Sequence, residues 1–367
     1  MDKKLILAVA GSGKTYTICN SIEAEKRNLV LAFTRENIKN IYFELLARFG
    51  VIPENTIIST FHAFLYRDCI RPYHSLICDL YGAESFRCEG VTLLTPPKPF
   101  EDGEFNRKYI KENNLKHYVP HKKYYCSRMA KLITKNNDTL LPLVLKRLNK
   151  FYDKLFVDEF QDYRNEEYEL LAEIIQGFEG DVLLVGDYYQ HSVSGDNNTG
   201  KPFGTANKTI TYLRYKKIIE ELGVNIDETT LCKSRRCSKL VCDFVRTKLR
   251  IEIESYDSHA GEVIAISDIA EAERVLMDDS ICKLLLRNSG NFIFRSVNWS
   301  YSKGDTYEKT CVILTEDTSN LMEDSFNCDS IAPITRNKLY VALTRSRTDV
   351  YLMPKYLFDQ VKDKYYR

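Results

Sequence analysis

Short apolar runs broken by polar turns mark out the informative parts of this chain. Leu5–Val9 (LILAV) is a β-favouring run that ends in Gly-Ser-Gly, and residues 14–27 (KTYTICNSIEAEKR) then have helical character. Leu155–Val157 ends in adjacent carboxylates within KLFVDEFQDY. Asp181–Gly186 (DVLLVG) reads as a third buried strand, followed by the polar stretch DYYQHS. Farther along, 256–268 (YDSHAGEVIAISD) reads as strand and turn, and 270–281 (AEAERVLMDDSI) as helix.

Composition narrows the class only a little. The 367 residues are enough for two domains, and apolar and charged fractions of 44% and 28% are those of a soluble globular protein. A net charge of +1 argues neither for nor against a polyanionic partner, so any nucleic-acid site must be a local basic stripe. The apolar run after MDKK is too short for a membrane span, and no secretory signal is expected. The eleven cysteines include no CxxC pair, which suggests reduced thiols in a cytoplasmic protein. Cys232, Cys237 and Cys242 recur every five residues, which fits no zinc pattern.

The order strand, glycine loop, helix around AVAGSGKT is the context that a phosphate-binding loop needs. Backbone N–H groups from Gly11 through Ser12, Gly13 and Lys14 to Thr15 can wrap a β-phosphate at the positive end of a helix. Lys14 can reach the β- and γ-phosphates, and the Thr15 hydroxyl can ligate Mg²⁺. The pattern usually begins with glycine; here that place is Ala8. In VDEFQD, Asp158 is suited to hold Mg²⁺ and Glu159 to orient or deprotonate an attacking water. Gln190 can sense a γ-phosphate.

The order of these motifs resembles the UvrD/Rep/PcrA group of superfamily 1 helicases. AVAGSGKT is similar to motif I, LVLAFTREN to motif Ia, STFHAF to the TFH element, VDEFQD to motif II and LVGDYYQ to motif III. LCKSRRCS resembles a degenerate motif IV, SKGDTYEKTCVIL motif V and LYVALTRSR motif VI. The resemblance covers residues 5 to 347 and implies an α/β fold of two RecA-like domains with parallel sheets and ATP in the cleft between them. It divides the chain into 1–225, with an insertion at about 65–148, and 226–367. It implies Ala10, Tyr16, Arg35 and Gly304 as further nucleotide contacts, and Arg236 and Arg345 as the arginines that reach the γ-phosphate. If both arginines come from the second domain, hydrolysis requires cleft closure, which couples nucleotide state to domain motion.

Departures from the family pattern carry their own expectations. Almost no room precedes motif I for the segment whose glutamine reads adenine in relatives. The motif IV aromatic is replaced by Ser234-Arg235-Arg236, so the base is expected to be read loosely, because a guanidinium stacks on any purine. QHSVSGDNNTGKPFG after motif III lacks the aromatic that stacks on single-stranded bases in relatives, a loss of ~1–3 kcal/mol per base. Lys303 follows Arg236 by 67 positions, too few for the family's large second-domain insertion.

Phe33 and Thr34 in LAFTREN, and Phe61 and His62 in STFHAF, are candidate contacts to DNA; each aromatic is also a plausible core residue, Phe61 equally so. In the first-domain insertion Lys122, Lys123, Tyr124, Tyr125, Arg128 and Lys131 interleave basic and aromatic residues, a pattern that can track a phosphate backbone or form a solvated face. The resemblance implies an ATP- and Mg²⁺-dependent translocase on single-stranded DNA or DNA ends, moving 3′ to 5′, in repair, replication or antiphage defence. The competing expectation is a regulatory ATPase that controls a partner nuclease of the OLD type, as in Gabija-like antiphage systems. A binding protein without catalysis is disfavoured by the intact Lys14, Asp158, Glu159, Gln190 and both arginines.

Overall fold

The computed structural model describes residues 2–191, 193, 200–205 and 208–367. Two parallel sheets organise it. The first contains β1 (Lys3–Leu7), β2 (Asn28–Ala32), β3 (Thr56–Thr60), β4 (Lys154–Val157), β5 (Asp181–Gly186) and β6 (Asn225–Asp227), in the spatial order β6-β1-β5-β4-β2-β3. Each neighbouring pair in it is parallel. The central strands β1, β2, β4 and β5 are the apolar runs of the sequence, as strands covered on both faces must be.

The second sheet contains β7 (Val263–Ala265), β8 (Ile281–Leu285), β9 (Ser296–Asn298), β10 (Lys309–Ile313) and β11 (Val350–Met353), in the order β7-β11-β10-β8-β9. It too is parallel throughout. Helices pack on it, including Lys239–Leu249 and Pro333–Leu343, the latter a crossover between β10 and β11. This is the α/β architecture with parallel sheets that the sequence led us to expect. The sheets meet through the glycine loop. Ala10 is fully buried and packs with Cys237, Val241, Leu339 and Tyr340 of the second sheet's core. The Arg235 amide donates to the Gly11 carbonyl at 2.9 Å.

Two predicted helices are shorter than their sequence pattern. The first spans Lys14–Asn20, not 14–27. Beyond it the Asn28 side-chain amide donates to the carbonyls of Glu23 and Lys26 and holds that stretch as a turn. The second spans Ile269–Met277, and Ile281, expected at its end, instead begins β8. Asp278 stops it by accepting from the Ser280 amide and hydroxyl.

Between β3 and β4 the chain forms a helical and loop-rich insertion. It includes the parallel pair Gly90–Thr92 with Lys123–Tyr125 and a small hairpin, Phe100–Glu101 with Glu104–Phe105. The helix Asn137–Phe151 closes it. No described helix is long and apolar enough to cross a membrane. Of the polar stretch after motif III, residues 192 and 194–199, where the sequence lacks the expected stacking aromatic, lie outside the described residues.

Candidate nucleotide cleft

The glycine loop lies at the carboxyl ends of β1, β5 and β4, where open parallel sheets bind ligands. The Ala8 amide donates to the Gly186 carbonyl at 2.8 Å, fixing where the loop leaves the sheet. Gly11 has φ +73°, and a Cβ there would lie 2.6 Å from the Arg236 Cβ, so only glycine fits. Gly13, with φ +95°, passes between Tyr16 and Arg235. The loop is thus moulded against the second half of the chain, and a cavity of about 1050 Å³ opens beside it.

Gly11, Ser12, Gly13, Lys14, Thr15 and Tyr16 all line this cavity, as do Glu159 and Gln190. The opposite wall contributes Arg235, Arg236, Lys303, Gly304, Arg345 and Arg347. Residues separated by more than 300 positions therefore face one space. Ala10 departs from expectation: its amide donates to the Tyr340 hydroxyl at 2.8 Å and is not free for a phosphate. Arg35 is exposed at the start of the helix Arg35–Phe49 and does not line the cleft.

Charge in the cleft is arranged around Glu159. Its backbone is left-handed, φ +50°, an uncommon conformation for a non-glycine residue that swings the carboxylate away from β4. Lys14 Nζ stands 3.5 Å from one oxygen and Lys303 Nζ 3.7 Å from the other, while Gln161 donates to the second oxygen at 2.5 Å. Burial alone would raise the carboxyl's pKa, but these cations and the hydrogen bond outweigh it and hold it at about 2. Asp158 behaves oppositely. It is 1% exposed, and burial together with the Glu159 charge pushes it up to about 6, against a hydrogen bond from Asn37 at 3.1 Å. A cleft-lining carboxylate kept ionised beside a buried one held largely out of reach of cations suits the roles of water orienter and metal ligand. Thr15 lines the cleft, whereas Asp158 lies just behind its lining, accepting from Asn37 and from the Glu159 amide; together they offer one hydroxyl and one carboxylate. Mg²⁺ fits that donor set, since it takes few protein oxygens and completes its shell with phosphate and water.

Arg345 is 2% exposed at the end of the helix Pro333–Leu343. Its guanidinium donates to the carbonyls of Val341, Ser302 and Asp305, and burial next to Arg236 lowers its pKa to about 9. Arg236 donates to the Thr344 carbonyl at 3.1 Å. Gln190 is buried and donates to Asp187 Oδ2 at 2.8 Å, within reach of the cleft it lines.

Three contributors were not expected from the sequence. Lys303 bonds both oxygens of Asp162 at 2.6 Å and so ties the second sheet to the VDEFQD segment. Its signal was present, because it precedes Gly304 in SKGDTY. Asp162 ends the VDEFQD motif itself. Tyr340 donates to Asp187 at 3.1 Å while accepting from Ala10. Tyr340 lies within LYVALTRSR, but the bonds it makes exist only across the cleft.

The expected DNA contacts divide. Phe33 is half-buried on the cleft wall, edge-on to Tyr163 at 5.7 Å, and Thr34 is exposed and caps the helix that follows. Lys122 and Lys123 are exposed. Phe61 is a core residue, 2% exposed and 4.9 Å from Tyr163, so it has no face for a base. Tyr124 is fully buried with its hydroxyl 2.7 Å from His74 Nδ1, which removes it as a stacking platform. His62 pairs with Glu167 at 2.7 Å, and Arg128 is spent on the carbonyls of His117 and Pro97.

Two family models match the chain: "AAA domain" over residues 2–196 and "Viral superfamily 1 RNA helicase core domain" over residues 106–354. The chain belongs to the superfamily 1 helicases. This is a family of NTP-hydrolysing enzymes, in keeping with the cleft just described. Among solved structures, the chain is similar to an arterivirus nonstructural protein 10 helicase in complex with DNA, at 13% identity and a TM-score of 0.48. That match covers 97% of this chain and 62% of the other. A porcine arterivirus (PRRSV) helicase matches at 11% identity and a TM-score of 0.45, over 99% of this chain and 54% of the other. The chain thus spans a little over half the length of these helicases. No curated protein sequence matches it.

Proposed function

We propose that this chain hydrolyses ATP in the cleft between its two sheets and uses the cycle to act on single-stranded nucleic acid, as a compact UvrD-like translocase. One observation carries the reading: Lys14 and Glu159 from the first sheet and Arg236, Lys303 and Arg345 from the second line the same cavity. In this scheme the glycine loop and Lys14 hold the phosphates, and Thr15 and Asp158 hold the magnesium ion. That ion would neutralise charge between the β- and γ-phosphates. Glu159 orients the attacking water, Gln190 senses the terminal phosphate, and Arg236 and Arg345 stabilise the charge that develops on it. Because the arginines belong to the second unit, which we place after β6 and so beyond about residue 227 instead of 225, catalysis follows the fit of one unit to the other.

The resemblance of the motifs favours single-stranded DNA as the track. The match to a viral RNA helicase core model favours RNA as a second reading. Steady-state ATP hydrolysis by the purified chain, alone and with oligothymidylate or oligouridylate, tests both. Stimulation by either strand supports the proposal and names the track, and identical rates in all three mixtures would contradict it.

A further inference from the structure

A second cavity, of about 750 Å³, lies within the insertion and shares no lining residue with the nucleotide cleft. Its size is that of a small-molecule site. Tyr81, Phe86 and Tyr125 supply flat apolar surface to its wall. Lys108, Lys116 and Lys122 line it as well, and all three are exposed, with Glu84 as the acidic residue of the lining.

The cavity is built, not a gap between mobile loops. Arg128 spans it from inside, donating to the His117 carbonyl at 2.6 Å and the Pro97 carbonyl at 2.8 Å, with its guanidinium 5.4 Å from the Tyr125 ring centroid. The Lys122 carbonyl accepts from the Glu89 amide, and the Tyr125 amide donates to the Tyr118 carbonyl, so the wall is also tied by backbone. Two consecutive non-glycine residues, His121 and Lys122, have left-handed backbones, φ +46° and +63°. Such conformations are uncommon for non-glycine residues and persist where surrounding structure enforces them. Here they turn the chain at the cavity so that His121 and Lys122 both line it.

Aromatic surface inside and ammonium groups outside are complementary to a flat heteroaromatic ring that carries a phosphate. An acidic peptide would satisfy the lysines and leave the rings without a partner. We propose that this cavity accepts one nucleotide, its base against the aromatic wall and its phosphate among Lys108, Lys116 and Lys122. The natural source is a nucleotide turned out of a bound single strand, which rests on the proposed function; a free nucleoside monophosphate has the same chemistry.

The test uses the full chain and a fluorescein-labelled oligothymidylate of about 20 nucleotides, long enough to exceed one binding site. The variant K108A/K116A/K122G removes three exposed charges, and glycine suits the left-handed backbone at 122. We expect its affinity for the strand to be weaker by about ten-fold or more, with a shallower salt dependence, while ATP turnover without nucleic acid is unchanged. A 5-iododeoxyuridine in the same strand, irradiated, should crosslink to Tyr81, Phe86 or Tyr125. Suppression of that crosslink by millimolar thymidine monophosphate would assign the site to free nucleotide, and its persistence would assign it to the strand.

If the wild type binds the strand, but the variant binds as tightly and crosslinks fall elsewhere, the cavity assignment is overturned and the nucleic-acid reading stands. If the wild type does not bind the strand at all, both fall. Displacement of the crosslink by a polyglutamate peptide but not by unlabelled oligothymidylate would also overturn it, in favour of an acidic protein.

Discussion

The amide of Ala10 donates to the hydroxyl of Tyr340 at 2.8 Å, although the two residues stand 330 positions apart. The same hydroxyl donates to Asp187 Oδ2 at 3.1 Å, so one phenol joins the glycine loop, the end of β5 and the helix Pro333–Leu343. Asp187 in turn holds Gln190 and is pushed up to about 6, chiefly by burial. The link is a physical route from phosphate loop to second sheet that needs no nucleotide to exist.

Tyr340→Phe therefore leaves a buried amide and a buried carboxylate each short of a partner. Unsatisfied groups of this kind cost about 1–3 kcal/mol. Urea denaturation should show a loss of that size, and kcat for ATP should fall more than KM rises. Wild-type stability together with wild-type kcat would show that the link is incidental.

Lys14→Ala should abolish hydrolysis while the fold persists, because the loop's shape comes from Gly11 and Gly13 and from packing against Arg236. Glu159→Gln should bind nucleotide and fail to turn it over, since the Asp158 carboxylate remains. Binding of a fluorescent ADP analogue and single-turnover hydrolysis separate the two effects. Turnover near wild type in Glu159→Gln would remove it from the catalytic scheme.

Asp158 gives a pH test. A carboxyl whose pKa is raised by folding contributes stability that is full below the unfolded value near 4 and lost as pH rises through about 6. At pH 8, without magnesium or nucleotide, the ionised group is a burden that Asp158→Asn relieves. The variant should be more stable than wild type at pH 8, by up to about 3 kcal/mol. The gap should close as pH falls toward 4, and hydrolysis should be lost at every pH. A variant less stable at pH 8, or a gap that widens on acidification, would contradict this reading of the site.

The Arg235 guanidinium lies 3.9 Å from the Tyr256 ring centroid and lines the cleft. A cation backed by an aromatic ring offers a stacking face without a pattern of donors and acceptors matched to adenine. Turnover with ATP, GTP and CTP should differ by less than ~100-fold, about 2.7 kcal/mol. A larger preference for ATP would require an adenine-reading group beyond those in the cleft.

What the sequence made legible follows a physical division. β1, β4 and β5 were visible because buried parallel strands are apolar throughout, and Lys14, Asp158 and Glu159 because the roles proposed for them fix both residue type and spacing. Lys303 and Tyr340 sat within quoted motifs, but their bonds escaped because the partners come from remote segments: Asp162 lies 141 positions away and Ala10 330. Phe61 and Tyr124 misled for the complementary reason. An aromatic among basic or polar neighbours reads the same whether it faces solvent or core, and packing against Tyr163 and His74 decided it. The helix predicted over residues 14–27 failed at Asn20 because the Asn28 side chain, eight residues on, stabilises a turn that periodicity does not encode.

The central claim is that residues from both sheets complete one catalytic site, and Arg345 tests it most directly. Because Arg345 is buried and bonded to three carbonyls, Arg345→Met is the suitable substitution, keeping much of its volume where alanine would leave a cavity. Single-turnover hydrolysis of ATP is measured beside equilibrium binding of a fluorescent ADP analogue. The predicted result is near-normal ADP binding with hydrolysis slowed by about 10³-fold or more, the contribution of an arginine at the transferring phosphate. Hydrolysis within a few-fold of wild type in a folded Arg345→Met variant would contradict it.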